Sequence, residues 1–437
     1  MYSERINKEK LISSFLRGYV TAILGPRRVG KTLFVKHYAE QHPERLWVML
    51  NMDIMKERIR IQAQELEIMI EEKALQKIGG AKKIWVVIDE AQKCPEVFDQ
   101  IKVLYDQFKG EDKIKFILTG SAILSLHQFS AESLAGRIEL HHLYEFTLRE
   151  AALVKYQNLS LTSLFDLIDG AKHPEEIGQV IHELSPFKPM LSKQLEELLI
   201  WSGLPEIFEI PTEEEKILYL SNYIQTYLEK DIRPIQTITD LHLYRNLMNI
   251  IAEQTGSVRE DQKIIEALGC TRDTLKKYRG YLGSTLQYQD VYPFIGSTLK
   301  RVVKSPKGYL LNNGIVSVLT GLNQIPLLEK SGLIGHRFEN WFLNELNTWL
   351  AREPYRAEIY YWRLSTGTEV DFVLERKPKI YPFEVTYKGI PDRKKIKNLY
   401  RFLAEEPRAE WGYYIYRGNF QVDEEKKICF IPSWAIA

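Results

Sequence analysis

Short runs of apolar residues alternate with longer helix-compatible stretches in the N-terminal part of the chain. Four of these runs cover residues 19–24, 46–50, 84–88 and 114–118. Runs of this length are typical of strands buried on both faces of a parallel sheet, because helices then cover each face. The alternation of such strands with helices therefore predicts an α/β fold with a doubly wound parallel sheet.

A glycine-bounded loop follows the first of these runs, where residues 25–32 read GPRRVGKT and fit the pattern G-x-x-x-x-G-K-[ST] at every fixed position. A strand, such a loop and a helix N-terminus direct backbone N–H groups and the helix dipole at one point, which suits a polyphosphate. In this pattern Lys31 reaches the β- and γ-phosphates of ATP, and the hydroxyl of Thr32 ligates Mg²⁺. The flanking strand and helix argue against the alternative, a chance match in a turn. The predicted nucleotide-binding residues are Gly25, Pro26, Arg27, Arg28, Val29, Gly30, Lys31 and Thr32.

Two carboxylates, Asp89 and Glu90, follow the apolar run 84–88. Ligands gather at the carboxyl ends of the strands in open α/β sheets, so these acids are expected beside the phosphates. Asp89 would hold Mg²⁺ through its water shell, and Glu90 would polarise the attacking water by accepting its proton. A solvated turn or a helix cap is the alternative, and the preceding phosphate loop favours the functional interpretation.

The run 114–118 is followed by two hydroxyl side chains, Thr119 and Ser121. A hydroxyl at this strand end can hydrogen-bond the γ-phosphate or the lytic water, and Thr119 is the first choice, with Ser121 close behind. A cap for the following segment explains either hydroxyl equally well, so both alternatives stay open at this point.

These motifs resemble those of a known superfamily. Segments 25–32, 89–92 and 118–121 resemble the three nucleotide-site motifs of AAA+-type ATPases, and segment 133–137, followed by 144–146, is similar to a prokaryotic AAA-type group. That group carries a C-terminal domain of unknown function related to the PD-(D/E)XK nuclease fold. The resemblance implies ATP and Mg²⁺ as cofactors and ATP hydrolysis as the reaction.

Arg137 lies shortly after the strand that leads to Thr119. An arginine there can act as a finger that stabilises γ-phosphate charge across a subunit boundary, which would require a homo-oligomer. A structural salt bridge is the alternative for this residue.

Composition is typical of folded globular domains. The chain has 437 residues, a formal net charge of +1, 45% hydrophobic residues and 27% charged residues. Its three cysteines are far apart in sequence and match neither a zinc nor a disulfide spacing. We find no stretch typical of a signal peptide or a membrane span, so a cytoplasmic protein without a membrane partner is expected.

A basic segment lies in the region 241–315, after a largely helical stretch over 151–240 that we expect to be a lid or connector. Residues 263–270 and 271–278 predict two helices joined by a glycine-containing turn, as in a winged-helix-like domain. The candidate phosphate or base contacts on the second helix are Arg272, Lys276, Lys277 and Arg279. DNA is therefore a candidate partner, and a small helical domain with a solvated basic face is an equally good alternative.

The C-terminal region 316–437 contains Glu339, Asp371 and Glu384, which the resemblance to PD-(D/E)XK nucleases places around one Mg²⁺. Without that resemblance, acids at solvated strand ends would be the better explanation. The nuclease lysine is expected two residues after the second acid, where this chain has Thr386. Lys388 keeps the same strand face and substitutes only if the strand runs that far. We therefore expect a nuclease-like fold with weak or lost cleavage.

The expected architecture is α/β throughout, with a P-loop ATPase domain over 1–150 followed by the helical, winged-helix-like and nuclease-like regions. Two functions stay open. In the first, ATP hydrolysis drives action on DNA. In the second, the ATPase domain is a nucleotide-dependent switch whose C-terminal domains bind protein partners. The acid pair Asp89 and Glu90 favours hydrolysis over nucleotide binding alone.

Overall fold

The computed structural model describes residues 3–121, 133–156, 164–170, 173–233, 238, 240–295, 304–352 and 357–436. The chain divides into two compact units. The first unit comprises Tyr2–Glu145 with the short segment Ser284–Leu286, and the second comprises Phe146–Gly283 together with Gln287–Ala437. The second unit thus contains the three regions that the sequence predicts after the ATPase domain, and their separation into three domains stays a prediction.

The first unit is built on a parallel sheet. Its strands are β1 (Val20–Leu24), β2 (Leu46–Asn51), β3 (Ile84–Asp89), β4 (Ile114–Gly120) and β5 (Ile138–His142). Its helices are α1 (Lys8–Leu16), α2 (Lys31–Glu40), α3 (Met55–Gln62), α4 (Leu66–Ala74) and α5 (Glu96–Gln107). The five strands follow the order β2-β3-β4-β1-β5, and every neighbouring pair is parallel. The α/β prediction with a parallel sheet is confirmed, and β5 is a strand that the apolar runs did not reveal.

Burial on both faces explains why these runs are largely apolar. Every residue of β1 is buried, and its alternate residues Val20, Ala22 and Leu24 pack in one cluster with apolar side chains of β3 and β4. Successive side chains of a strand point to opposite faces, so both faces of β1 need apolar residues. Because β4 lies between β1 and β3, the end of β4 lies between the phosphate loop and Asp89.

The second unit combines many helices with a larger sheet. Its strands are β6 (Ser257–Val258), β7 (Tyr288–Pro293), β8 (Lys307–Leu310), β9 (Glu358–Arg363), β10 (Glu369–Arg376), β11 (Lys379–Val385), β12 (Gly412–Tyr416), β13 (Gln421–Asp423) and β14 (Ile428–Pro432). Its helices are α6 (Leu148–Lys155), α7 (Leu164–Gly170), α8 (Pro174–Leu184), α9 (Lys188–Trp201), α10 (Glu213–Tyr227), α11 (Leu241–Glu253), α12 (Asp261–Leu268), α13 (Arg272–Ser284), α14 (Asn313–Thr320), α15 (Ile325–Lys330), α16 (Ile334–Arg352) and α17 (Arg393–Glu405). In the part of the chain that the structure describes, no helix has both the length and the apolar character needed to cross a membrane.

One continuous sheet runs through the second unit in the order β13-β14-β12-β11-β10-β9-β7-β8-β6. The strands β6, β8 and β7 are antiparallel, and β7 joins β9 in parallel through the pair Tyr292 and Tyr360. The strands β9, β10 and β11 form an antiparallel meander, and β11, β12 and β14 are parallel.

Two long helices contribute to the clusters on opposite faces of this sheet. Phe342 of α16 packs with Phe372 and Phe383, while Leu399 of α17 packs in the cluster that contains Val373. Phe372 and Val373 are adjacent in β10 and therefore point to opposite faces. This sandwich fixes the helices that carry the charged side chains described below.

Candidate functional site

The first candidate site is the loop that connects β1 to α2. The helix α2 begins at Lys31, directly after Gly30, whose φ of +95° lies in the left-handed region that glycine adopts without strain. Gly25 packs against Leu143, and a Cβ at position 25 would lie 2.1 Å from the Leu143 carbonyl oxygen. The glycines near the two ends of the motif are therefore required by the backbone geometry of the loop.

Between these glycines, Val29 is buried, Arg27 is half-buried and Arg28 is exposed. Lys31 is buried, and its ammonium donates hydrogen bonds to the carbonyl oxygens of Gly25 at 2.9 Å and Pro26 at 2.8 Å. A positive charge at a helix N-terminus, beside the N–H groups of a tight loop, is an arrangement suited to anions. The predicted loop residues thus form one compact cradle whose geometry would suit an anion.

Asp89, at the end of β3, accepts hydrogen bonds from two other motifs. Its Oδ1 accepts from Thr32 Oγ1 at 2.7 Å and from Thr119 Oγ1 at the end of β4. The Thr119 oxygen in turn accepts from the backbone N–H of Glu90 at 3.3 Å. The structure therefore brings the loop threonine, the strand-end acid and the Thr119 hydroxyl to one point.

Glu90 follows Asp89 with a left-handed φ of +54°. Its Oε2 accepts hydrogen bonds from Gln92 Nε2 at 2.6 Å and from Ser121 Oγ at 3.2 Å. Within the described residues, its Oε1 accepts none. Two donors on one oxygen orient the carboxylate and leave the other oxygen available to accept a proton.

The two hydroxyl residues that the sequence offered, with Thr119 as the first choice, contact different acids. Thr119 contacts Asp89, and Ser121 contacts Glu90. Gln92 lies in the segment 89–92 that the sequence argument matched to a nucleotide-site motif, but that argument gave it no role. Its amide also donates to Ser121 Oγ at 3.1 Å, so Gln92, Ser121 and Glu90 form a closed set of hydrogen bonds.

The donor set at Asp89 fits the Mg²⁺ that the resemblance implies. In the described part of the chain, no group of three or more His, Cys, Asp or Glu side chains is arranged to hold a metal ion. Mg²⁺ in nucleotide sites is commonly held by one or two protein oxygens together with phosphates and water. The adjacent Thr32 hydroxyl and Asp89 carboxylate provide that kind of partial site.

Arg137 lies away from this site. Its carbonyl accepts the N–H of Val20, the first residue of β1, whereas the phosphate loop follows the last residue of β1. Its guanidinium donates to both carboxylate oxygens of Asp106, at 2.8 and 2.9 Å. The geometry thus contains the salt bridge that the sequence left as the alternative. Arg137 lies at the end of the sheet where β1 begins, whereas the phosphate loop of the same chain lies where β1 ends. That Arg137 acts as a finger therefore stays a prediction, and it could apply only to the nucleotide of a neighbouring chain.

A second charged cluster lies in the second unit. Glu339 on α16, Asp371 on β10 and Glu384 on β11 are all buried. A lysine that the sequence argument missed, Lys395 on α17, lies 2.5 Å from Asp371 Oδ2 and 2.9 Å from Glu384 Oε2. Glu339 lies 3.4 Å from the ammonium of Lys307 and accepts a hydrogen bond from Tyr309.

Burial and charge affect these carboxyl groups in opposite directions. Burial favours the neutral form of Asp371, but Lys395 and Lys307 outweigh that effect and lower its pKa to about 2. Burial, aided by the negative charge of Asp371, raises the pKa of Glu384 well above its ordinary value. Asp371 is therefore the ionised member of the pair.

Positions 386 and 388, which the sequence argument considered for the nuclease lysine, do not place a positive charge beside the acids. Thr386 is buried and neutral. The side chain of Lys388 is 68% exposed and pairs with Asp392 at 3.1 Å, so it does not reach the acids. The suggestion that Lys388 substitutes for the nuclease lysine is not supported by this geometry, because β11 ends at Val385 and the chain then turns.

The basic helix α13 packs beside β7, where the guanidinium of Arg279 lies 6.0 Å from the ring centroid of Tyr288. Arg272, Lys276 and Lys277 are exposed. Arg279 is not a surface contact, because it is buried and lies 2.8 Å from Asp261. A groove of about 750 Å³ is lined by residues of α13, of β7 and of the segment 304–306. Its lining includes the basic side chains of Arg272, Lys276 and Lys304 and the acidic side chains of Asp261, Asp273 and Asp290.

The strand, loop, helix and acid pair of the first unit are similar to those of an AAA-type nucleotide-binding domain. Residues 17–152 match the family described as an AAA domain, which supports an AAA-type ATPase. Residues 192–325 and 334–436 match two families described as domains of unknown function, DUF8612 and DUF4143.

Similar proteins fall into two groups. Uncharacterized proteins of Mycobacterium bovis and Mycobacterium tuberculosis are each 24% identical over 375 residues, which is 86% of this chain and 72% of theirs. Among solved structures, the Walker-type ATPase of Pyrococcus abyssi is 15% identical with a TM-score of 0.44, covering 73% of this chain and 96% of its own. The ORC2 protein of Aeropyrum pernix, in ADPNP–ADP complexes, is 14% identical with a TM-score of 0.38, covering 75% of this chain and 92% of its own.

Proposed function

We propose that the first unit binds ATP with Mg²⁺ and hydrolyses it, and that this reaction drives action on DNA by the second unit. One observation supports the ATPase proposal most strongly. The carboxylate of Asp89 accepts hydrogen bonds from the hydroxyls of Thr32 and Thr119, and Glu90 follows Asp89 directly in the sequence. If these residues served only as salt bridges or helix caps, the three motifs would not need to meet at one point.

Each residue then has a defined task. The ammonium of Lys31 would exchange its bonds to loop carbonyls for bonds to phosphate oxygens. Thr32 and Asp89 would hold Mg²⁺, which neutralises phosphate charge when bound. Glu90 would accept the proton of the attacking water through Oε1, while Thr119 would orient that water or the γ-phosphate.

Steady-state phosphate release from ATP tests this proposal. The wild-type chain should release phosphate with Mg²⁺ and stop when EDTA removes the metal. Lys31→Ala should lose both nucleotide binding and turnover. Lys36→Ala is the matched control, because Lys36 is an exposed lysine on the same helix. Equal turnover in Lys31→Ala and Lys36→Ala would contradict the proposal.

The groove beside α13 supports DNA as the partner. Arg272, Lys276 and Lys304 line a concave surface, and Lys277 is exposed on the same helix. Cations along a groove suit the regular phosphates of a nucleic acid backbone. This surface belongs to the region in which the sequence predicts a winged-helix-like domain.

A salt titration of duplex and single-stranded DNA binding tests the DNA proposal. Binding should weaken steeply with salt, and Arg272→Ala and Lys276→Ala should each lower the slope of log K against log salt by about one. Lys263→Ala is the control, because Lys263 is exposed and pairs with Glu260 outside the lining of the groove. No binding at low salt would remove DNA and favour the nucleotide-dependent switch that binds protein partners.

A further inference from the structure

The ammonium of Lys395 makes three contacts with oxygen atoms. It lies 2.5 Å from Asp371 Oδ2, 2.9 Å from Glu384 Oε2 and 3.0 Å from the carbonyl oxygen of Val385. The ammonium donates hydrogen bonds to Asp371 and Val385, whereas its contact with Glu384 is an ion pair, because among the described residues neither buried oxygen of Glu384 accepts a hydrogen bond. Asp371 is held further by the backbone N–H of Val385, at 2.8 Å from Oδ2.

The fold places this ammonium with little freedom. Asp371 and Glu384 lie on adjacent antiparallel strands, just beyond the pair formed by Phe372 and Phe383. Lys395 is in the first turn of α17, whose N-cap Asp392 accepts the N–H of Lys394 at 2.9 Å. Asp392 is itself anchored, because its backbone N–H donates to Tyr414 Oη at 2.9 Å.

The same three oxygens would suit a divalent cation. Two carboxylates and a carbonyl are hard ligands of the kind that Mg²⁺ and Mn²⁺ prefer. A metal ion bound to these oxygens at about 2.1 Å would lie beside the ammonium. The two positive charges would then compete for the same oxygens. The side chain of Lys395 is 27% exposed, whereas those of Asp371 and Glu384 are 7% and 1% exposed, so the lysine is the most solvent-accessible member of the cluster.

The third acid is engaged elsewhere. Glu339 accepts hydrogen bonds from Lys307 at 3.4 Å and Tyr309 at 3.1 Å, and Lys307 also lies 2.6 Å from Glu369. Across the described ranges, no three acidic, histidine or cysteine side chains form a metal-holding group. The three acids that the nuclease resemblance implies as metal ligands are therefore paired with two different lysines, Glu339 with Lys307 and the other two with Lys395.

We propose that the ammonium of Lys395 is the resident cation of this cluster and takes the place of a divalent metal ion. The positive charge missing at Thr386 is thereby supplied from α17, where it stabilises the two acids instead of assisting a metal. The second unit then has no metal-dependent cleavage activity at this site. This proposal is independent of ATP hydrolysis in the first unit.

Binding of Mn²⁺ to the nucleotide-free full chain tests the proposal by electron paramagnetic resonance. Wild type and Asp371→Asn should bind the same amount of Mn²⁺. Lys395→Met keeps the length of the side chain without its charge and should gain one Mn²⁺ per chain, and adding Asp371→Asn should remove that gain. Lys395→Arg keeps the charge and should gain none. Circular dichroism establishes that each variant is folded.

Two results would overturn the proposal. One is a Mn²⁺ ion bound by wild type and lost in Asp371→Asn, or Mn²⁺-dependent DNA cleavage lost in Asp371→Ala. The other is a folded Lys395→Met that binds no additional Mn²⁺. If Lys395→Met does not fold, thermal unfolding of wild type decides, because the proposal requires the same midpoint in Mn²⁺ and in EDTA. A rise in Mn²⁺ that Asp371→Asn abolishes would overturn it.

Discussion

The hydroxyl of Thr32 donates a hydrogen bond to Asp89, with 2.7 Å between Oγ1 and Oδ1. These residues are far apart in sequence, and the parallel sheet joins them because β1 and β3 end at the same edge. Thr119 donates to the same carboxylate oxygen. The proposed ATPase mechanism depends on this meeting point.

Gly25→Ala should lower both the midpoint of thermal unfolding and the affinity for ATP. A Cβ at position 25 would lie 2.1 Å from the Leu143 carbonyl oxygen, so the loop or β5 must shift. Overpacking of this kind costs about 1–3 kcal/mol. Gly18→Ala is the control, because nothing lies within 4 Å of a Cβ there. Equal midpoints and affinities in the two variants would show that the close packing at Gly25 does not matter.

Gln92→Ala should lower kcat about tenfold and leave ATP affinity nearly unchanged, because one oriented hydrogen bond to the proposed base is lost. Gln92 holds Glu90 Oε2 at 2.6 Å. The neighbouring Lys93→Ala is the control, since the ammonium of Lys93 bonds Asp53 instead. An increase in kcat would mean that Gln92 restrains Glu90 and does not position it.

Arg137→Ala should lower turnover by about 10³-fold without weakening ATP binding, if the arginine acts on the nucleotide of a neighbouring chain. Asp106→Ala breaks the same exposed salt bridge and should leave turnover unchanged, because such pairs contribute only about 0–1 kcal/mol. Mixing Arg137→Ala with Lys31→Ala chains should restore part of the activity. Equal effects of both variants, without rescue on mixing, would assign Arg137 to a structural salt bridge.

Glu345→Gln should stabilise the chain at high pH. Glu345 accepts hydrogen bonds from the N–H of Leu148 at 2.7 Å and from Trp341 at 2.9 Å, and burial raises its pKa from 4.5 to about 8. Between these values the unfolded chain releases a proton that the folded chain retains, so wild type loses stability as the pH rises through this window.

Glutamine keeps an acceptor oxygen and does not ionise. The gain in the free energy of unfolding should therefore be a few kcal/mol at about pH 8 and vanish near about pH 4.5. Urea denaturation at both pH values measures it. A gain that is the same at both pH values would show that ionisation of Glu345 is not its cause.

The elements and the nucleotide motifs were predictable because they depend on local pattern. Four strands of the first unit coincide with largely apolar runs in the sequence, and the phosphate loop has a fixed spacing. The prediction that Arg279 makes a surface contact was wrong, and the sequence pattern itself shows why. Arg279 shares a helix face with Leu275 and Leu282, at spacings of four and three residues, and that face is buried.

Other features depend on tertiary packing. Lys395 is eleven residues beyond Glu384, on a helix whose rotation is set by packing against the sheet. Its neighbours Lys394 and Lys397 are exposed, so composition alone does not single out the lysine that points inward. The partners of Glu90 likewise depend on the position of Ser121 at the end of a different strand.

The most direct test of the ATPase proposal is single-turnover hydrolysis by Glu90→Gln, measured beside its ATP affinity. Glutamine keeps the shape of the side chain and removes the proton acceptor, so ATP affinity should stay near that of wild type while hydrolysis slows by about 10²-fold or more. Glu111→Gln, an exposed substitution in the same unit, should change neither quantity. Hydrolysis at the wild-type rate in Glu90→Gln would contradict the role of Glu90 as the base.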